Sequence, residues 1–545
     1  MASTSGSAGL SAIDNLQKLE ADAAMLRQQA QNMTDAELAQ HQQALQSRLA
    51  LLNDHLQRPA TIHSIEVHGA KNTRKGFLDP LFAPLVDPAR NADTTLGEVL
   101  AGIQEVTDKL ARFEIFHPEP SVFLSDARAS DPHAAGTDMA VSIRVAEKSR
   151  FLLKTGTELG NTEGSGYINM LWRNMFGGAE QLSINTSAGT RTRSSYTASL
   201  SAPLQGNPDV RVSLEAQSAD IQKSWASHEE VSKGATLRTA WLSPTTRDLH
   251  NLAYSSTWRQ VTGLSAAASP TVRADAGDSM KSALTYTFTR DRRDNPMLPQ
   301  SGYLVKTITE LAGLGPLRGD VAFYKSEVEL AGAMPLSLPR GLFSRNTDAT
   351  STTANTNAYL PSRASIGGGF RCGWLWPLPL GWSPNGTDVI PSLITDRFQL
   401  GGPTDVRGFK IGGLGPRDGN DSVGGDLFAA GSINMLLPLP RTSADSPLRL
   451  QLFANAGRLV ALENQTTARE TESKGLAMSP RAVRRGMAKA LAELGNGLPS
   501  CAAGFGLVYA AQVARFELNF SLPLVLRKGE QARKGVSVGV GIDFM

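Results

Sequence analysis

From Phe151 to Met545 the chain is written in short alternating segments, among them LSINTSAG, YTASLSAPL, VRVSLEAQS, ALTYTFTRD, LVKTITEL, AFYKSEVEL, LRLQLFANAG and RFELNFSLPL. Successive side chains of an extended strand point to opposite faces, so each such segment is apolar on one side and polar on the other. In RFELNFSL one face is Phe516, Leu518, Phe520 and Leu522, and the other is Glu517, Asn519 and Ser521. The closing GVSVGVGIDFM sets Val536, Val538, Val540, Ile542 and Phe544 against Ser537, Gly539, Gly541 and Asp543. A soluble sandwich also alternates. Three features favour a membrane barrel: the strands are many, their polar face is dense in Ser, Thr, Asn and Gly, and the chain finishes on an aromatic within a strand. Residues 149–545 would then form one transmembrane all-β barrel of about 16 strands, at roughly 25 residues per strand with its connection.

Composition agrees and narrows the classes. No run of about 18 apolar residues offers a spanning helix, and a mean hydropathy of -0.20 is what alternating strands average to. Lys+Arg is 54 against Asp+Glu 51, a net charge of +3, too balanced to argue for nucleic acid. The two cysteines, Cys372 and Cys501, form no CxxC pair and give no zinc site. They read as free thiols in a reducing compartment, with one long-range disulfide as the alternative. The N-terminus MASTSGSAGLSAIDNLQKLE lacks the basic region and apolar core of a secretory signal, and is not Arg-rich like a matrix address.

Three stretches stand apart from the barrel. Residues 1–58 read as a polar, Gln-rich helical extension, either a coiled-coil arm or a solvated helix, ended by Pro59. Residues 60–147 form a small α/β unit: a strand at Ile65 and Val67, a helix whose stripe is Leu96, Val99, Leu100, Ile103, Val106, Leu110 and Phe113, and strands at SVFLSD and MAVSIRV. Within the barrel region, 341–362 is a polar low-complexity loop. Residues 461–500 carry SPRAVRRGMAKALAELGN, a basic helix that either meets an anionic membrane surface or is simply solvated.

No catalytic set emerges. Asp291 and Asp294 in DRRDNP are paired acids, the kind that supply an acid and a base. Their neighbours Arg290, Arg292 and Arg293 argue for structural ion pairing instead. The histidines show no metalloprotease spacing and no phosphate-binding loop is present.

Glycines surround one arginine in RFQLGGPTDVRGFK, Arg397 to Lys410. With its flanks this stretch resembles the loop signature of the outer-membrane β-barrel assembly and translocation superfamily. NMFGGAE (174–180), RDRRDNPMLPQSGY (290–303), GGDLFAAGSINMLLPLP (424–440), FANAGR (453–458), GFGLVY (504–509), RFELNFSLPL and GIDF resemble the family's other segments, in the family's order. Residues 60–147 resemble a single POTRA domain. One POTRA unit without a secretory signal is similar to the branch of core barrel subunits of the mitochondrial sorting and assembly machinery.

The resemblance implies an insertase, not an enzyme and without cofactors, integral to the mitochondrial outer membrane with the POTRA domain in the intermembrane space. Its implied partners are unfolded β-barrel precursors, accessory sorting-and-assembly subunits and membrane lipid, with no nucleic acid. It implies a lumen loop carrying Gly401, Gly402, Val406, Arg407, Gly408 and Phe409. Arg407 would need a partner, because a buried charge without one loses several kcal/mol of hydration. Relatives often place an aspartate at the position of Asn455, so Asn455 and Asp426 are the candidates here. It also implies a lateral gate between the first strand, with Leu152, Lys154 and Gly156, and the last, with Ser537, Gly539, Gly541, Ile542 and Phe544. A client strand would add there by main-chain pairing. The glycines either weaken that seam or allow curvature. Rival readings are a POTRA-barrel translocation channel (exporter or plastid-type importer), a passive pore and a soluble β-rich enzyme.

Overall fold

The computed structural model describes residues 43, 55–86, 94–118, 120–160, 163–313, 319–336, 364–379, 389–439, 446–462, 479–511 and 514–541. Most of the extension expected over 1–58, the polar stretch 341–362, and Ile542 and Phe544 lie outside these residues.

The chain divides into two compact units. The smaller contains β1 (Thr61–His68), most of α1 (Lys75–Val86) and of α2 (Leu96–Arg112), β2 (Ser121–Asp126) and β3 (Asp138–Arg144). Its sheet runs β1-β3-β2, with β1 parallel and β2 antiparallel to β3. Helix α2 starts at a capping box: the Thr95 N–H donates to Glu98 Oε2 at 3.0 Å, and the Glu98 N–H donates to Thr95 Oγ1 at 3.4 Å. Its stripe of Val99, Ile103, Val106 and Leu110 is buried, as are Val141 and Ile143 of β3. Helix α1 was not foreseen, since Pro80 and Pro84 argue against a helix there; burial of Leu78 and Phe82, one turn apart, offsets the two missing donors.

The larger unit is built from β4 (Phe151–Gly160), β5 (Glu163–Arg173), β6 (Gln181–Gly189), β7 (Thr192–Leu204), β8 (Asn207–Lys223), β9 (His228–Leu242), β10 (Leu249–Thr262), β11 (Gly277–Asp291), β12 (Gly302–Ala312), β13 (Phe323–Leu336) and β14 (Ala364–Pro377). A small hairpin of β15 (Arg417–Asp418) and β16 (Asp421–Ser422) follows. Then come β17 (Leu427–Pro438), β18 (Leu448–Val460), β19 (Ser500–Ala510), β20 (Arg515–Val525) and β21 (Gly535–Gly541). Among the described residues two α-helices lie in its connections, α3 (Pro270–Ala274) and α4 (Pro480–Gly495). All strands except the small hairpin join one 16-stranded sheet in which each pairs with its sequence neighbour, β14 with β17 across the long connection. The pairings are antiparallel throughout, and β21 returns to within 8 Å of β4, so the sheet closes as a barrel.

Strand β20 shows why the alternation dictates this shape. Phe516, Leu518, Phe520 and Leu522 are 38–48% exposed on the outer face, whereas Arg515, Glu517, Asn519 and Ser521 are 1–5% exposed on the inner one. An apolar exterior over a polar interior is the membrane-barrel arrangement. Among the described residues no helix is long and apolar enough to cross a membrane.

The lumen has a core of its own. The connection between β14 and β17 packs Phe398, Leu400, Val406, Phe409 and Leu414 against Phe323, Leu375, Phe428, Leu459 and Ala502 of the inner wall. Helix α4 begins at Ser479, whose Oγ accepts from the Ala482 N–H, with Pro480 in the first turn. It buries Met487 and Ala490 on Leu427, Val460 and Leu462, leaving Arg481, Arg484, Arg485 and Lys489 outward. Cys372 and Cys501 are both free thiols.

Candidate functional site

The Arg397–Lys410 stretch enters the lumen, and its arginine is wholly enclosed: Arg407 is 0% exposed. Two glycines make the approach close enough. Gly408 adopts φ +87°, and a Cβ there would stand 2.7 Å from the Ala502 Cβ on β19. Gly457 on β18 leaves the space that Leu400, Val406 and Leu414 fill; a Cβ there would meet the Leu400 side chain at 2.9 Å. Gly401 and Gly402 turn the chain with φ +108° and +138°. Val406 and Phe409 are buried in the lumen core beside Arg407.

The partner of Arg407 is Glu517 of β20. Its Nε donates to Oε2 at 2.9 Å and its Nη2 to Oε1 at 3.1 Å, a bidentate pair between two fully buried side chains. Glu517 also takes Arg515 at 2.6 Å and the Asn519 amide at 2.7 Å. The Phe453 ring lies 5.2 Å beneath the Arg407 guanidinium.

Neither Asn455 nor Asp426 fills the predicted role. Asn455 is buried and meets Arg407 through the main chain; with its amide turned to satisfy both ends, its oxygen accepts from the Arg407 N–H and its nitrogen donates to the Ala502 carbonyl at 3.2 Å. Asp426 lies elsewhere, accepting from Ser392 Oγ at 2.6 Å and the Leu462 N–H at 2.9 Å. The reason is geometric: β20 faces the loop with a carboxylate already in register, and β18 meets it with a neutral amide.

The opposite side of the loop reverses the signs. Asp396 accepts from Arg259 of β10 at 2.5 and 3.1 Å, and Lys281 of β11 is 3.7 Å away. Lys325 of β13 donates to the Asp396 carbonyl at 2.8 Å. Asp405 takes Arg371 of β14 at 3.0 Å and the Gly401 N–H at 2.8 Å. Burial pushes the Asp405 carboxyl up, only partly offset by Arg371 and nearby N–H groups. Burial acts on Asp396 the same way, but Arg259, Lys281 and Lys325 overcome it and hold that carboxyl below the ordinary range.

The loop is also bonded to the connection between β20 and β21. Lys410 N–H donates to the Gln531 carbonyl at 3.1 Å, Gln531 N–H to Gly413 at 2.9 Å and Arg533 N–H to Gly408 at 2.8 Å. From the other end of the barrel, the connection between β11 and β12 turns inward. Leu298 is buried against Leu436 and Val508, and the Met297 carbonyl accepts from Arg515 at 3.0 Å. Arg515 therefore joins that connection to Glu517. In the same segment Asp291 pairs with Arg293 at 2.8 Å, and Asp294 accepts from the Gln300 and Ser301 N–H groups.

The residues named for the gate fall on β4 and β21. Leu152 and Gly156 are half-buried and Lys154 is exposed; Gly156 lies under the Tyr167 ring of β5, where a Cβ would stand 2.7 Å from Oη. Ser537 and Gly539 are buried and Gly541 is half-buried. Among the described residues no ladder pairs β21 with β4, although the two strands approach within 8 Å. The sequence reading did not single out Asp396, Asp405, Arg259, Arg371 or the pairing role of Glu517. The signal for Glu517 was its place as the acid on an inward face otherwise of Asn and Ser.

Fold and site together define a membrane β-barrel with a lumenal return loop anchored through a buried arginine. Residues 174–544 match the Omp85 superfamily domain. The chain is 38% identical over 510 residues to a SAM50-like protein of Schizosaccharomyces pombe, spanning 92% of this chain and 95% of that one. It is 30% identical to the sorting and assembly machinery component 50 homolog of Bos taurus, spanning 82% of this chain and 84% of that one. The fold superposes on BamA from Haemophilus ducreyi lacking POTRA domains 1–3 with a TM-score of 0.64 at 13% identity, covering 89% of this chain and 85% of that one. The chain belongs to the Omp85 superfamily and, within it, to the sorting and assembly machinery component 50 family. It is an outer-membrane β-barrel protein.

Proposed function

We propose that the chain is an insertase of the mitochondrial outer membrane that folds β-barrel precursors and releases them sideways into the bilayer. The observation that carries this reading is the seam. Every other neighbouring pair of the sheet has a ladder, whereas β21 and β4 lie side by side without one among the described residues. In lipid an unpaired strand edge is costly, since no water satisfies its N–H and C=O groups. A client strand satisfies them by adding to β4. The client signal has the form polar-x-Gly-x-x-apolar-x-apolar, which the chain's own Ser537, Gly539, Ile542 and Phe544 also fit.

The lumen loop favours this reading over a passive pore, because its apolar residues pack inside the barrel and it binds the inner wall on two sides. The α/β unit acts as a POTRA domain in the intermembrane space, and accessory sorting-and-assembly subunits complete the machine, as the relatives' names suggest. The reaction is one of strand exchange and needs no cofactor.

Thr155→Cys with Gly541→Cys, in a Cys372→Ser, Cys501→Ser background, tests the reading. Oxidation should stop assembly of newly imported porin, and reduction should restore it. Porin assembly at the normal rate with the two strands crosslinked would sink the lateral gate.

A further inference from the structure

A cleft beside the lumen loop gathers four cationic side chains, Arg191, Lys410, Arg417 and Arg533, and none of its lining residues is acidic. They come from three connections: the β6–β7 turn, the long β14–β17 connection, which carries Lys410 in the lumen loop and Arg417 in the β15–β16 hairpin, and the β20–β21 connection. Like charges gathered in this way repel one another unless an anion sits among them.

Arg417 is partly answered within its own connection, where Nη1 donates to the Gly412 carbonyl at 3.5 Å, Nη2 donates to the Asn420 carbonyl and Asp421 attracts it. The neighbouring carboxylates take their hydrogen bonds from other groups. Asp421 accepts from Ser227 Oγ at 2.5 Å and the Ser269 N–H at 2.7 Å, and Asp418 accepts from Thr271 at 2.7 and 3.1 Å. Glu530 accepts from Ser500 Oγ and from the Gly415 N–H at 3.2 Å. Lys410 and Arg533 are exposed, and neither makes an ion pair among the described residues. The Arg191 guanidinium sits 5.1 Å over the Trp225 ring, whose own Nε1–H is enclosed and unbonded.

We infer that this cleft binds a phosphate group. Guanidinium forks match phosphate oxygens in pairs, and a phosphate monoester carries about −1.5 to −2 at neutral pH. The enclosed indole N–H adds a neutral donor, and Phe409, Ile411 and Pro403 give an apolar wall for whatever the phosphate is attached to. Two sources share this chemistry: a soluble phosphate and the headgroup of an anionic phospholipid.

The test uses the full chain in nanodiscs of phosphatidylcholine. Inorganic pyrophosphate is titrated calorimetrically in one arm, and a second arm compares nanodiscs doped with phosphatidic acid by the shift in Tm. The double variant Lys410→Gln, Arg533→Gln should weaken the response about tenfold or more, as expected for losing charge-assisted contacts. The control Arg484→Gln, Arg485→Gln removes the same charge from α4 and should change nothing. Pyrophosphate binding that the first variant weakens to that extent assigns a soluble phosphate; a response confined to phosphatidic acid and weakened likewise assigns a headgroup. The inference is overturned if neither probe gives a response, if the first variant leaves the response intact, or if the control weakens it equally.

Discussion

The lumen loop is held on two sides, and the two sides are electrical opposites. Toward β20 the loop brings the cation and the wall the acid, Arg407 to Glu517, with both side chains 0% exposed. Toward β10–β14 the loop brings the acids and the wall the cations, Asp396 and Asp405 among Arg259, Lys281, Lys325 and Arg371. The first side concentrates its attraction in one carboxylate. The second spreads it over several strands, with a second cation close to Asp396. Removing one member of an enclosed pair strands a charge, whereas a distributed network rearranges around the loss. The brittle attachment is the one on β20, the neighbour of the seam strand β21.

Glu517→Ala tests the asymmetry most severely. It leaves Arg407 and Arg515 enclosed without their shared anion, a loss of about 3–5 kcal/mol. The folded fraction, read by heat-modifiable gel mobility, should fall sharply. Arg407→Ala should cost less, about 2 kcal/mol, because Arg515 still neutralises Glu517. Its loop should become cleavable by trypsin at Lys410, and porin assembly should slow; a protease-resistant loop with normal assembly would remove the anchor role. Arg371→Ala should cost about 1 kcal/mol, since its partners are half-buried and Asp405 keeps the Gly401 N–H. If Arg371→Ala proved as damaging as Glu517→Ala in Tm, the contrast between the two sides would be broken.

The smallest effect concerns pH. The Asp405 carboxyl is raised, so between its ordinary range and that raised value the folded chain binds more proton than the unfolded one. That step adds stability as pH falls through the window and loses it as pH rises. Asp405→Asn should flatten this part of the Tm-against-pH curve, while Asp396, held low, contributes nothing there.

The barrel was legible because lipid outside and polar groups inside impose a period of two on every strand, as in Phe516 to Leu522. The loop arginine was legible from its glycines and its motif. Its partner was not: inward-facing residues of several neighbouring strands can reach a lumen loop, so Asn455 on β18 and Glu517 on β20, with β19 between them, compete on register alone. Asp396 and Asp405 were missed for a related reason. Their partners Arg259 and Arg371 are distant in sequence and become neighbours only when the sheet closes. Helix α1 was hidden by its two prolines, whose local cost is outweighed by packing.

Arg515 reaches the Met297 carbonyl with one nitrogen and Glu517 with another, and Glu517 in turn grips Arg407. The stoppers entering from opposite ends of the cylinder thus lean on one shared keystone in the penultimate stave. Loosening either one therefore alters the charge balance beneath the other.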